Sequence, residues 1–147
     1  IFMSTFKEVE KNFTNIFSSL SRKGQAYLEL ENHEDPLSAG LEITVKLTGN
    51  KKLDIRSLSG GEKTLAALAF IFAIQEHQPA SFYFLDEVDA SLDKTNSQML
   101  SKLIAKYSQG AQYIVISHND AVITEAEYIY GVSMQQEGVS KVISLKI

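Results

Sequence analysis

The stretch Phe82-Tyr83-Phe84-Leu85-Asp86-Glu87 is apolar for four residues and then stops at two adjacent carboxylates. Four large apolar residues without alternation are too few for a helix and suit a strand buried on both faces of a parallel sheet. Asp86 and Glu87 then stand at its carboxyl end, the edge where open α/β sheets bind ligands. Charges that cost several kcal/mol to bury are tolerated there when a divalent cation and phosphate compensate them. That chemistry places a metal ligand beside a base. The plainer alternative is a strand ending in a solvated acidic turn, and the stretch taken alone favours it.

Its neighbours favour the chemistry. Leu58-Ser59-Gly60-Gly61-Glu62-Lys63 lies upstream, Ala90-Ser91-Leu92-Asp93 follows directly, and Ser117-His118 ends a second apolar run. In this order the motifs resemble the signature, the Walker B strand with its catalytic glutamate, the D-loop and the switch histidine of ATP-binding-cassette (ABC) ATPases. The wording Leu85-Asp86-Glu87-Val88-Asp89-Ala90-Ser91-Leu92-Asp93 is similar to the C-terminal head segment of structural maintenance of chromosomes (SMC) proteins. Transporter cassettes and break-repair ATPases usually carry proline or another spacing after the glutamate. The resemblance spans nearly the whole chain. It implies an α/β fold: an ABC-ATPase C-terminal lobe with parallel core strands flanked by helices, an antiparallel β-meander and an N-terminal coiled-coil root helix.

With 147 residues, 44% of them hydrophobic, the chain can bury a core and is most simply one domain or one lobe of a larger one. No apolar stretch approaches the ~20 residues that a bilayer requires, and no leader pattern precedes a cleavage site. A soluble intracellular protein is expected, cytoplasmic and nucleoid-associated, or nuclear in a eukaryote. The absence of cysteine excludes a disulfide framework and a thiolate metal site. A net charge of −4 argues against independent nucleic-acid binding, which normally shows a basic footprint.

The chain starts at Ile1, with Met3 the nearest methionine, and reads as a fragment of a longer polypeptide. Phe2, Phe6, Val9, Phe13, Ile16 and Leu20 follow the a/d spacing of a coiled coil, with Lys7, Glu8, Glu10 and Lys11 on the other faces. An amphipathic helix capping a sheet has the same pattern, and Phe17 beside the seam points to packing on a globular body. The resemblance favours the root of an SMC arm over residues 1–23, followed by the lobe over 24–147. Gly24 ends the helix. Ala26, Leu28 and Leu30, then Leu41, Ile43, Val45 and Leu47, alternate as half-buried strands around a polar loop holding Pro36. Gly49-Asn50 marks a turn before Leu53 and Ile55, so an antiparallel meander is predicted. Lys51, Lys52 and Arg56 cluster on it as a solvated face rather than a DNA site.

Ser59-Gly60-Gly61 precedes a helix in which Leu65, Leu68, Ala69 and Phe72 follow helical spacing while Ile71, Ala73 and Ile74 make the other faces apolar, as in a buried helix. Ser59 suits an N-cap, and free N–H groups at the positive helix end make an anion site. One serine suffices for capping; two successive glycines are better explained by close approach of a phosphate. Lys63-Thr64 is not a P-loop, because G-x-x-x-x-G-K-[ST] needs glycine where this chain has Glu62 and Ser57. No other segment matches. Tyr113-Ile114-Val115-Ile116-Ser117 reads as a second buried parallel strand, reached by a right-handed crossover through a helix carrying Leu100, Leu103, Ile104 and Tyr107. A short helix over Ala121 to Ala126 and a hairpin of Tyr128 to Met134 with Val139 to Leu145 around Gln135-Gln136-Glu137-Gly138 close the chain.

The resemblance implies roles. Asp86 holds Mg²⁺, Glu87 polarises the attacking water and His118 contacts the γ-phosphate of ATP. Leu58, Ser59, Gly60, Gly61 and Glu62 face ATP held on an opposing subunit. Asp89 and Asp93 cross the dimer interface, with helix capping by Asp93 the alternative. The implied partners are the N-terminal lobe of the same protein, a second SMC head, the winged-helix end of a kleisin subunit, and DNA through the assembled complex. Two rival readings stay open: a head lobe of a coiled-coil ABC ATPase acting in double-strand-break repair, and a non-catalytic scaffold lobe.

Overall fold

The seam residues of the N-terminal segment form one helix, α1 (Phe2–Leu20), which buries Val9, Phe13, Ile16, Phe17 and Leu20. Phe17 packs inward with the seam, as its position predicted. The computed structural model describes residues 1–21, 24–47, 52–135 and 138–147. The Gly49-Asn50 turn, Lys51 and the Gln136-Glu137 tip of the closing hairpin lie outside the described residues.

The alternating segments form the predicted meander, an antiparallel sheet in the order β1 (Gly24–Leu30), β2 (Leu41–Leu47), β3 (Lys52–Asp54). Ala26 faces Val45 and Leu28 faces Ile43 across the strands, so the small and branched apolar residues point to one side. The Thr14 hydroxyl donates to the Ala26 carbonyl at 2.9 Å and ties α1 to this sheet. Lys52 is engaged by Glu29 at 2.7 Å, and Arg56 lies 3.9 Å from Asp54. The hydrogen bond from Lys52 lowers the Glu29 carboxyl from its ordinary value; desolvation opposes this, and a weaker hydrogen bond from Thr44 adds to the lowering. These exposed pairs contribute little stability, but they leave no free basic patch at Lys52 and Arg56.

Helix α2 (Gly60–His77) buries Leu65, Ala66, Leu68, Ala69, Phe72 and Ala73, which join the α1 residues in one core. Phe13 meets Phe70 edge-on at 6.3 Å. The expectation of a helix buried all round is corrected: Ile71 and Ile74 are exposed. An apolar pattern records which faces avoid water, and among the described residues packing covers only part of them.

The stretch that opened the analysis forms β4 (Phe82–Asp86), which pairs in parallel with β5 (Gln112–Ile116) and is joined to it through α3 (Lys94–Tyr107). Burial on both faces is not observed. Leu85 is buried and Tyr83, Tyr113 and Val115 are half-buried, whereas Phe82 and Phe84 are 62% and 59% exposed and Ile114 and Ile116 are exposed beside them. One face rests on the helices and the other is bare among the described residues. On the covered face Phe72 stacks on Tyr107 at 5.3 Å, and Tyr113 stacks on Tyr83 at 5.0 Å. Gln75 donates to the Tyr113 hydroxyl. The chain ends in α4 (Asp120–Thr124) and an antiparallel hairpin of β6 (Tyr128–Met134) and β7 (Ser140–Lys146), whose side chains are largely exposed.

Burial pushes the Tyr107 and Tyr113 hydroxyls up to about 12, with Glu76 adding to the effect at Tyr107 and the Gln75 bond opposing it at Tyr113. A raised folded value means that their contribution is intact below the ordinary value of 10.0 and is lost as pH rises through about 12. Denaturant unfolding of a head containing this chain should show stability falling across that window. The Tyr107→Phe, Tyr113→Phe double variant should flatten the fall.

Candidate active site

Parallel pairing brings Asp86 level with Ile116, so the ends of β4 and β5 form one edge. Glu87 continues the ladder by donating its N–H to the Ile116 carbonyl at 2.9 Å. It does so at φ 45°, the left-handed region, and it is the one non-glycine residue with positive φ among the described residues. Such a conformation costs on the order of 1–3 kcal/mol and persists only where its surroundings impose it. The turn aims the Glu87 carboxylate along the sheet edge, where Oε1 lies 3.4 Å from Nε2 of His118. Both groups face solvent, with side-chain exposures of 55% and 90%. Asp86 is exposed beside them.

The loop after Glu87 folds back through Ala90 N–H to the Glu87 carbonyl at 3.1 Å and Leu92 N–H to the Asp89 carbonyl at 3.0 Å. Asp89, expected at a subunit interface, is 5% exposed in this chain. Its Oδ2 accepts the Ser117 hydroxyl at 2.7 Å. Asp93 caps α3, accepting the Asn96 N–H at 2.8 Å, which is the alternative weighed for it from sequence.

At the start of α2, Ser59 and Glu62 form a capping box: the Ser59 hydroxyl oxygen accepts the Glu62 N–H at 3.4 Å and the Glu62 carboxylate accepts the Ser59 N–H at 3.0 Å, with the Ser59 hydroxyl also donating to that carboxylate at 2.7 Å. The S-x-x-E spacing carries that signal in the sequence. Leu58 is buried and anchors the approach to the helix. The two glycines differ. A Cβ on Gly60 would meet nothing within 4 Å, whereas one on Gly61 would lie 3.2 Å from the Ser91 carbonyl oxygen. Thr64 and Ser91 share a hydroxyl hydrogen bond at 2.7 Å, joining the start of α2 to the loop after β4. Sequence reasoning missed both this link and the Asp89–Ser117 bond, since single hydroxyls carry no spacing signal.

Glu87, Asp89, Ala90, Leu92, His118 and Asn119 line a shallow open cleft of about 250 Å³. It is too open to enclose a nucleotide, and enclosed ligand sites are commonly ~300–1,000 Å³. No group of three or more His, Cys, Asp or Glu among the described residues could cage a metal. Mg²⁺ fits such a site nonetheless, because it takes one or two carboxylates together with substrate phosphates and water.

The family model described as "RecF/RecN/SMC N terminal domain" matches residues 2–141. The chain belongs to the SMC head family. Chromosome partition protein Smc from Pyrococcus furiosus is 50% identical over 147 residues, covering 100% of this chain and 12% of that protein. The chain thus spans about an eighth of such relatives, 12% of their length. Among solved structures, an Smc head bound to the C-winged helix domain of ScpA superposes with TM-score 0.94 at 50% identity, covering 99% of this chain and 45% of that one. A structure described as bearing on ATP-driven dimerization and DNA stimulated activation of SMC ATPases superposes with TM-score 0.90 at 48% identity, covering 99% and 88%. The mixed α/β fold is therefore that of SMC heads.

The capping box and the glycine contacts give a stability test. Ser59→Ala should cost about 1 kcal/mol, and Gly61→Ala should cost on the order of 1 kcal/mol as its Cβ presses on Ser91. Gly60→Ala should stay within about 0.5 kcal/mol of wild type. Urea unfolding of the three variants in one SMC head background checks the order.

Proposed function

We propose that this chain is the C-terminal lobe of an SMC head, with residues 1–23 the root of the coiled coil and 24–147 the lobe. Joined to the N-terminal lobe, it binds ATP and Mg²⁺, pairs with a second head through sandwiched ATP, and hydrolyses it to drive chromosome organisation. The observation that carries this is one sheet edge holding Asp86, Glu87 and His118 beside the signature helix, in a sequence with no G-x-x-x-x-G-K-[ST] loop. The matched family is described by its N terminal domain; the C-terminal placement is our own and rests on that missing loop. The bare face of Phe82, Phe84, Ile114 and Ile116 supports a second lobe completing the sheet.

In this assignment Asp86 would hold Mg²⁺ through water, and the ion would supply charge neutralisation to the triphosphate. Glu87 orients and polarises the attacking water as general base, and His118 meets the γ-phosphate. Leu58, Ser59, Gly60, Gly61 and Glu62 present the start of α2 to ATP on the opposing head, while Asp93 and its loop couple the two sites. The relative bound to ScpA supports a kleisin winged-helix partner, for which the exposed β6–β7 hairpin offers apolar surface. DNA acts through the assembled complex, in the cytoplasm with the nucleoid. The chromosome-partition relatives weigh against a break-repair lobe, and the two carboxylates at the edge weigh against a scaffold.

The chain alone should show no ATP turnover, and addition of the N-terminal lobe should restore it; turnover by the isolated chain at the rate of a full head sinks the assignment. In the complete head Glu87→Gln should abolish hydrolysis and leave ATP-dependent pairing intact, read by sizing chromatography with ATP. Ser59→Arg should keep ATP affinity in calorimetry and lose pairing in light scattering. Loss of both together contradicts the placement of α2 on the opposing nucleotide.

A further inference from the structure

Asp89 is the one buried carboxylate among the described residues. Burying such a group costs several kcal/mol unless it is partnered, and its partner is chosen to useful effect. Ser117 Oγ donates to Asp89 Oδ2 at 2.7 Å and accepts the Asn119 N–H at 2.9 Å. Asn119 in turn accepts the Ala121 N–H at 3.0 Å and caps α4. These bonds grip the residues on either side of His118 from beneath the loop. His118 needs that grip, because at 90% exposure its own packing does not hold it, and its Nε2 approaches Glu87 Oε1 only to 3.4 Å. Asp89 is also two residues from Glu87, whose own position is set by the Ile116 carbonyl.

We infer that Asp89 is a positioning residue: by taking the Ser117 hydroxyl from inside the fold, its carboxyl group fixes where His118 stands relative to Glu87. This rests on the proposed roles of Glu87 and His118 in ATP hydrolysis. It gives Asp89 work inside its own chain, in place of the interface-crossing role that the resemblance implied. The bond joins the loop after β4 to the loop after β5, so the two halves of the site move as one.

The test is steady-state ATP hydrolysis by the full-length protein, with head pairing measured on the same preparations. Asp89→Ala and Ser117→Ala should each lower kcat by about ten- to a hundredfold, as misplacement of a reacting group does, while KM for ATP stays within about twofold and pairing persists. The double variant should fall no further than the worse single one, since both remove one contact. Asp89→Asn keeps an acceptor oxygen and should recover most of the turnover. Wild-type kcat in both Asp89→Ala and Ser117→Ala overturns the inference, as does loss of pairing in folded Asp89→Asn. Should Asp89→Ala not fold, Ser117→Ala, which removes one hydroxyl from a half-buried site, decides alone. Glu87→Gln separates the levels: retained turnover there refutes the proposed site itself, whereas abolished turnover beside wild-type Asp89 and Ser117 variants refutes only the positioning role.

Discussion

The parallel pairing of β4 with β5 is the constraint on which the site depends, because it sets Asp86 opposite Ile116 and lets the Ile116 carbonyl capture the N–H of Glu87. That capture holds a glutamate in the left-handed region, where a glycine would sit without strain. A glutamate tolerates the position only because the ladder beneath it is already fixed. The ladder is fixed from one side, by Phe72, Tyr83, Tyr107 and Tyr113 stacked against one another under the strands. Aromatic stacks of this kind add ~0.5–1.5 kcal/mol per pair beyond area burial. Core packing and site geometry therefore meet at the same few rungs.

Two hydroxyl bonds then distribute that rigidity. Thr64–Ser91 fastens the start of α2 to the loop after β4, and Ser117–Asp89 fastens the loop after β5 to the same segment from its other end. Gly61 allows the first approach, since any larger residue meets the Ser91 carbonyl oxygen. Residues far apart in sequence thus share one short loop as their common support. At Gly60, by contrast, an added Cβ would meet nothing within 4 Å among the described residues, and the Gly60 carbonyl accepts the Thr64 hydroxyl at 3.2 Å within the first turn of α2.

Local pattern made much of this legible. Period-two alternation located the meander, the apolar run ending at Asp86 located β4, and Ser59 located the start of α2. Exposure was not legible, because hydrophobicity reports a need for cover and not its source; Phe82, Phe84, Ile71 and Ile74 read as core and stand bare in this chain. Nor was the fate of single polar groups. Asp89 and Asp93 share one short motif, yet one is buried against a serine and the other caps a helix. Only the packing of the loop separates them.

Glu87 and His118 meet in open solvent. At 55% and 90% side-chain exposure their polar atoms compete with water for each other, and the cleft beside them is open. A surface closing over the sheet edge would exclude that water from groups whose loops the Ile116, Ser117 and Ser91 bonds already tie together. Geometry here precedes electrostatics: the fold sets where Glu87 and His118 stand, and the strength of their contact depends on what covers them.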